Sequence, residues 1–168
     1  SPAYLDSLDN ENNRFKIINL LTGYSWSNSA KRQNFNLSSP LFGIQFNTVQ
    51  GWNGNIALAY NQEINQKPGR ELKLSTEITY GLAEKIWRPE VDLAYKFNRI
   101  QNTELGLSGG RKVSQFNTQE PLGPGINTLY SLIGEKNYLK LFDKRFIRLQ
   151  LESEPLNGIF TRSSLEYS

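Results

Sequence analysis

No histidine and no cysteine occur among the 168 residues. Without histidine, Ser-His-Asp arrangements, imidazole bases and His-ligated metals are excluded. Without cysteine, so are disulfides, thiolate chemistry and Cys-ligated zinc. The chain also lacks an initiator Met, a signal peptide and any apolar run near the roughly 18 residues of a spanning helix, so a membrane crossing would have to use strands. A charge excess of one sign is missing as well. The 19 Lys+Arg against 16 Asp+Glu leave a net charge of +3. The bases are scattered rather than gathered in the stripe that a phosphate backbone attracts, so nucleic acid is not expected as a partner.

What is present is alternation of period two, the mark of strands with one apolar and one polar face. In Glu71 to Tyr80, Leu72, Leu74, Ile78 and Tyr80 share one parity, and Glu71, Lys73, Ser75, Glu77 and Thr79 share the other. The spans 15–26, 33–49, 52–64, 69–82, 86–98, 103–116, 144–154 and 157–168 all read as strands, many at the roughly 9 to 11 residues that a tilted membrane strand needs. Turn signals at Gln50-Gly51, Lys67-Pro68-Gly69, Gly81 to Glu84 and Asn157-Gly158 separate them, the last a strong hairpin signal, so neighbours should be antiparallel. Ser1 to Asn13 is polar, carries Asp6, Asp9 and Glu11, and has no sustained period; residues 1–14 read as a polar linker and 15–168 as a single β domain. Ile126, Leu129, Tyr130 and Ile133, followed by Tyr138, Leu139 and Phe142, predict a short helical insertion near 126–142. The opening on Ser1-Pro2 and the stop at Tyr167-Ser168 inside a strand pattern read as a fragment of a longer protein.

The candidate chemistry is thin. Glu90/Asp92 and Glu71/Glu77 share strand faces, as the two carboxylates of a glycosidase would. They are interspersed with Arg88, Lys73 and Lys96, the pattern of a charged lumen or solvated face. Gly106 to Lys112 resembles a phosphate-binding loop but lacks the Walker spacing and a Ser/Thr after the lysine; it reads as a bend or bulge in a strand. Asp6, Asp9 and Glu11 lack the spacing and glycine of a calcium loop. No catalytic, cofactor-binding or metal-ligating residue is assigned, no cofactor is expected, and the chain is not expected to be an enzyme. Aromatics make up 12% of residues, and Tyr24, Trp26, Trp52, Tyr60, Tyr80, Trp87, Tyr95 and Phe97 suit membrane-interface girdles or a soluble core.

The stretches from Phe46 to Asn53, Tyr130-Ser131-Leu132, Glu135 to Leu141, Asp143-Lys144, Leu156-Asn157-Gly158 and Ser164 to Tyr167 together resemble the barrel region of an uncharacterised outer-membrane family of Bacteroidota. Longer members of that family carry a carboxypeptidase-regulatory-like domain before the barrel. The resemblance implies an outer-membrane location and no peptidase activity. The expected fold is therefore all-β: an antiparallel up-and-down meander of about eight long strands, as a membrane-type barrel or a segment of one. The expected role is structural or transport-type, with apolar faces meeting outer-membrane lipid and Arg88, Glu90, Asp92, Lys96, Glu71, Lys73 and Glu77 lining a lumen. The alternative is a soluble β-barrel or sandwich that binds a small apolar ligand or a protein partner.

Overall fold

The computed structural model describes residues 7, 9–47, 50–64, 69–97, 101–115 and 141–168. They form nine strands: β1 (Tyr24–Asn28), β2 (Gln33–Leu37), β3 (Ile44–Asn47), β4 (Gly51–Glu63), β5 (Glu71–Gly81), β6 (Ile86–Lys96), β7 (Glu104–Gln115), β8 (Leu141–Leu156) and β9 (Ile159–Tyr167). All belong to one antiparallel sheet in the order β1-β2-β4-β5-β6-β7-β8-β9, with β3 paired to β4. The meander follows from short connections between alternating segments. Gly158 (φ 85°) turns the tight β8–β9 hairpin, as its Asn-Gly signal requires.

Two of the expected strands form differently. Within 15–26, Ile17, Ile18, Leu20 and Leu21 fall at helical spacing, and Asn19–Thr22 is a helical turn, so only β1 is extended. The span 33–49 is broken between β2 and β3, which lie end to end along the same side of β4. At the break, Ala57 N–H donates to Ser38 Oγ at 2.8 Å, a side chain standing in for a strand carbonyl, and Pro40 has no N–H to continue the ladder. Most of the helical insertion expected at 126–142 lies outside the described residues; Leu141 and Phe142 belong to β8 and not to a helix.

The expected barrel is corrected. β1 and β9 end the sheet and do not pair with one another, so the described strands enclose no lumen. An open strand edge carries N–H and C=O groups that hydrocarbon cannot hydrate. The membrane-type barrel expected from strand length, aromatics and the family resemblance is overturned by this open sheet, and the outer-membrane location, lipid as partner and structural or transport role expected with it are corrected too. Among the described residues no helix is long and apolar enough to cross a membrane, which says nothing about crossing by strands.

The register gives the sheet two distinct faces. Trp26, Phe35, Tyr60, Leu74, Leu93, Leu107, Leu149 and Leu165 are consecutive partners and form an unbroken apolar row from β1 to β9. One residue along, Ser27, Asn34, Asn61, Lys73, Ala94, Gly106, Gln150 and Ser164 form a row on the opposite face. Aromatic residues pair across strands at Phe46–Trp52, with ring centroids 5.5 Å apart, and Tyr80–Trp87, at 4.5 Å, and along one strand end at Tyr95–Phe97, at 4.8 Å. Such contacts contribute about 0.5–1.5 kcal/mol each beyond area burial, which accounts for the rows without an interfacial girdle.

Candidate functional site

Pro89 lies in the middle of β6 and has no N–H to contribute to a ladder. Pairing of β6 with β7 runs from Lys96↔Glu104 only to Glu90↔Gly110, while β7 continues with β8 as far as Gln115↔Leu141. The sheet therefore splits beside Pro89. Gly110 closes the end of the split: a Cβ there would stand 2.3 Å from the Pro89 carbonyl oxygen, so only glycine allows the approach.

Charged groups span this gap. Arg88 Nε donates to Asp143 Oδ1 at 2.8 Å, and Arg111 Nε donates to Asp143 Oδ2 at 2.7 Å, so one carboxylate on β8 is clasped from β6 and β7 together. Glu84, in the turn before β6, takes Arg88 Nη2. The Arg88 side chain is 3% exposed, and its Nη1 is buried with no partner among the described residues. Burial works against the Arg88 charge, but Asp143 and Glu84 outweigh it and hold the guanidinium above its ordinary value. Burial likewise works against the Asp143 carboxylate, and the two arginines overcome it and hold that group below the usual aspartate range.

Beside the split, Lys112 pairs with Glu90 at 2.9 Å, and Glu166 takes Lys144 and, at 2.8 Å, Arg148 Nε. These two pairings hold Glu166 below its ordinary value. Phe146 lies beneath this group, 4.6 Å from Lys112 Nζ, 5.6 Å from the Arg148 guanidinium and 5.8 Å from Lys144 Nζ. It is the one large apolar side chain buried among the described residues, and its ring face suits cations. At the other end of the strands, Lys73 bonds Glu104 at 3.3 Å and faces Glu71 at 3.7 Å. Burial pulls its ammonium down, but those carboxylates hold it above the ordinary lysine value.

The two sheet edges differ. The outer side of β1 is capped by side chains from the segment before it. Ser27 N–H donates to Asn13 Oδ1 at 2.8 Å and Asn13 Nδ2 donates to the Ser27 carbonyl at 2.7 Å, so one amide copies the bonds of a neighbouring strand. Asp9 receives the Ser29 N–H at 2.7 Å. Along β9, by contrast, every residue is exposed and, among the described residues, backbone pairing is with β8 alone.

The residues singled out in the sequence are placed as follows. Arg88, Glu90, Asp92 and Lys96 share the polar face of β6, and Glu71, Lys73 and Glu77 that of β5. Glu90 is tied to Lys112, Glu71 faces Lys73, and Glu77 accepts from the Asn55 amide. Neither carboxylate pair stands free in a cleft as hydrolysis would need. Gly106 to Lys112 lies within β7 and not in a phosphate-cradling loop. Asp9 caps β1, and Asp6 lies outside the described residues. No group of three or more potential metal ligands occurs among the described residues. Sequence reasoning missed the Arg88–Asp143–Arg111 clasp, for which a proline inside the 86–98 strand was the available signal.

Among the described residues the architecture is an open, antiparallel all-β sheet with an ion-paired face and an exposed apolar one. The chain belongs to the family of unknown function (DUF5686) C-terminal domain, whose family model matches residues 18–168. No curated protein and no solved structure matches it.

Proposed function

We propose that the chain is a non-catalytic binding module whose partner is protein, an extended strand laid antiparallel along β9 so that the sheet and its apolar row continue across the joint. The observation that carries this reading is the contrast between the edges among the described residues: β1 is capped by Asn13 and Asp9, while β9 pairs with β8 alone and lies beside exposed Leu149 and Leu165. Strand addition takes its affinity from main-chain hydrogen bonds and its register from alternate side chains. Glu90, Glu71 and Glu77 already have cationic or amide partners, which supports binding over catalysis. From the resemblance we also propose that longer relatives in Bacteroidota carry a carboxypeptidase-regulatory-like domain before this region.

In the isolated chain the strand available is β9 of a second copy. Antiparallel pairing about Ser163 puts Ile159 opposite Tyr167 and Thr161 opposite Leu165, keeping like faces together; a shift by one residue would oppose the two faces. Because the chain has no cysteine, Ser163→Cys is a unique probe. Under mild oxidation it should cross-link into a dimer, while Ser25→Cys on capped β1 should not. A chain that stays monomeric with freely exchanging β9 amides would overturn the reading, as would equal cross-linking from both edges.

A further inference from the structure

The β7–β8 register sets like charges directly opposite one another twice in succession, Arg111↔Arg145 and Lys112↔Lys144. Such pairs destabilise a sheet unless anions compensate them. Three of the four cations have their carboxylate: Asp143 for Arg111, Glu90 for Lys112 and Glu166 for Lys144. Arg145, exposed, has none among the described residues. Arg145 borders a cleft of about 410 Å³ at the β6–β7 split, whose wall includes Pro89, Gly110, Phe146, Ile147 and Tyr167. That volume lies within the roughly 300–1,000 Å³ of small-molecule sites, which combine an apolar wall with few polar groups.

We propose that this cleft binds a single-chain anionic amphiphile, its apolar chain against Ile147, Tyr167 and Pro89 and its carboxylate on Arg145. The ligand supplies the fourth anion that the strand pairing leaves out. A neutral amphiphile would fill the same wall but leave Arg111 and Arg145 opposed. A small anion alone would satisfy Arg145 but leave the apolar wall wet. The proposal rests on the β6–β7 split; the cleft shares Tyr167 with β9, but Arg145, on β8, takes no part in the β9 pairing.

Titration calorimetry of the full chain with dodecanoate, dodecan-1-ol and acetate, each below its self-association concentration, tests this. Dodecanoate should bind more tightly than either of the others. Arg145→Gln should weaken dodecanoate by about tenfold, the loss of one charge-assisted contact, and leave dodecan-1-ol unchanged, while Arg145→Lys should restore most of the difference. Among the described residues Arg145 holds no partner, so its replacement should leave folding intact, and Ile147→Asn provides a second variant that should weaken both long-chain ligands. Equal affinity for dodecanoate and dodecan-1-ol, or dodecanoate binding indifferent to Arg145→Gln, overturns the proposal. Because Arg145→Gln should not alter Ser163→Cys cross-linking, failure of one reading is distinguishable from failure of the other.

Discussion

On one face of β8, Phe146 is 5% exposed beneath Lys112, Lys144 and Arg148; on the other, its neighbour Ile147 is 62% exposed. The same inversion runs across the sheet. The polar face is the tied one, with Arg88 buried between Glu84 and Asp143, whereas the apolar row from Leu74 to Leu165 lies open. In an ordinary two-layer domain the apolar face is enclosed and stability is concentrated there. Here the described residues place their enclosed contacts among charges and leave the apolar face free for association. Substitutions on the two faces should therefore separate folding from binding.

The largest effect should come from Arg88→Ala. It leaves Glu84 and Asp143 without the guanidinium that holds them and reopens the split beside Pro89. The carboxylates left behind are partly exposed and Asp143 keeps Arg111, so losing the charge-assisted hydrogen bonds should cost about 1.5–3 kcal/mol, and the denaturation midpoint should fall in a urea titration. A change under 1 kcal/mol would mean that the enclosed charges are not where the fold's stability lies.

Acid should act through the same clasp. The folded Asp143 carboxylate titrates below its unfolded value because Arg88 and Arg111 favour the charged form. Its contribution is thus fully present above the unfolded aspartate value of about 3.9 and disappears as pH falls through the lower folded value. Asp143→Asn should be less stable at neutral pH and lose less from about pH 5 downward, with the two stability curves converging in strong acid. Parallel curves across that range would remove Asp143 from the account.

Much of the strand pattern was legible, because residues such as Leu72, Leu74 and Ile78 alternate with charged neighbours and hairpin signals separate the runs. Closure was not legible. Apolar residues on one face of β5 read the same whether they meet lipid, a partner or a core, and whether β1 and β9 join depends on long-range geometry that no local period encodes. The β1 cap was hidden because Asn13 looks like any polar linker residue until Ser27 is brought beside it. The split at Pro89 had a local cue, since proline demotes a central strand, but the alternation of Val91, Leu93 and Tyr95 overrode it. The opposed cations were invisible for a further reason: Arg111↔Arg145 depends on strand register, and those residues are far apart in the chain.

Leu165→Ser gives the smallest expected effect on folding and the sharpest contrast. Leu165 is 76% exposed at the bare edge, so little apolar area is lost from the fold, and the stability change should stay within about 0.5 kcal/mol. In the β9 pairing about Ser163, however, Leu165 lies opposite Thr161 of the second copy, where burial across the joint depends on its side chain. A serine there should raise the concentration needed for dimer formation in sedimentation equilibrium while leaving the urea midpoint of the monomer in place. If both quantities move together, the open face contributes to folding as the ion-paired face does. If neither moves, the apolar row ends before the edge and the strand-addition joint lies elsewhere.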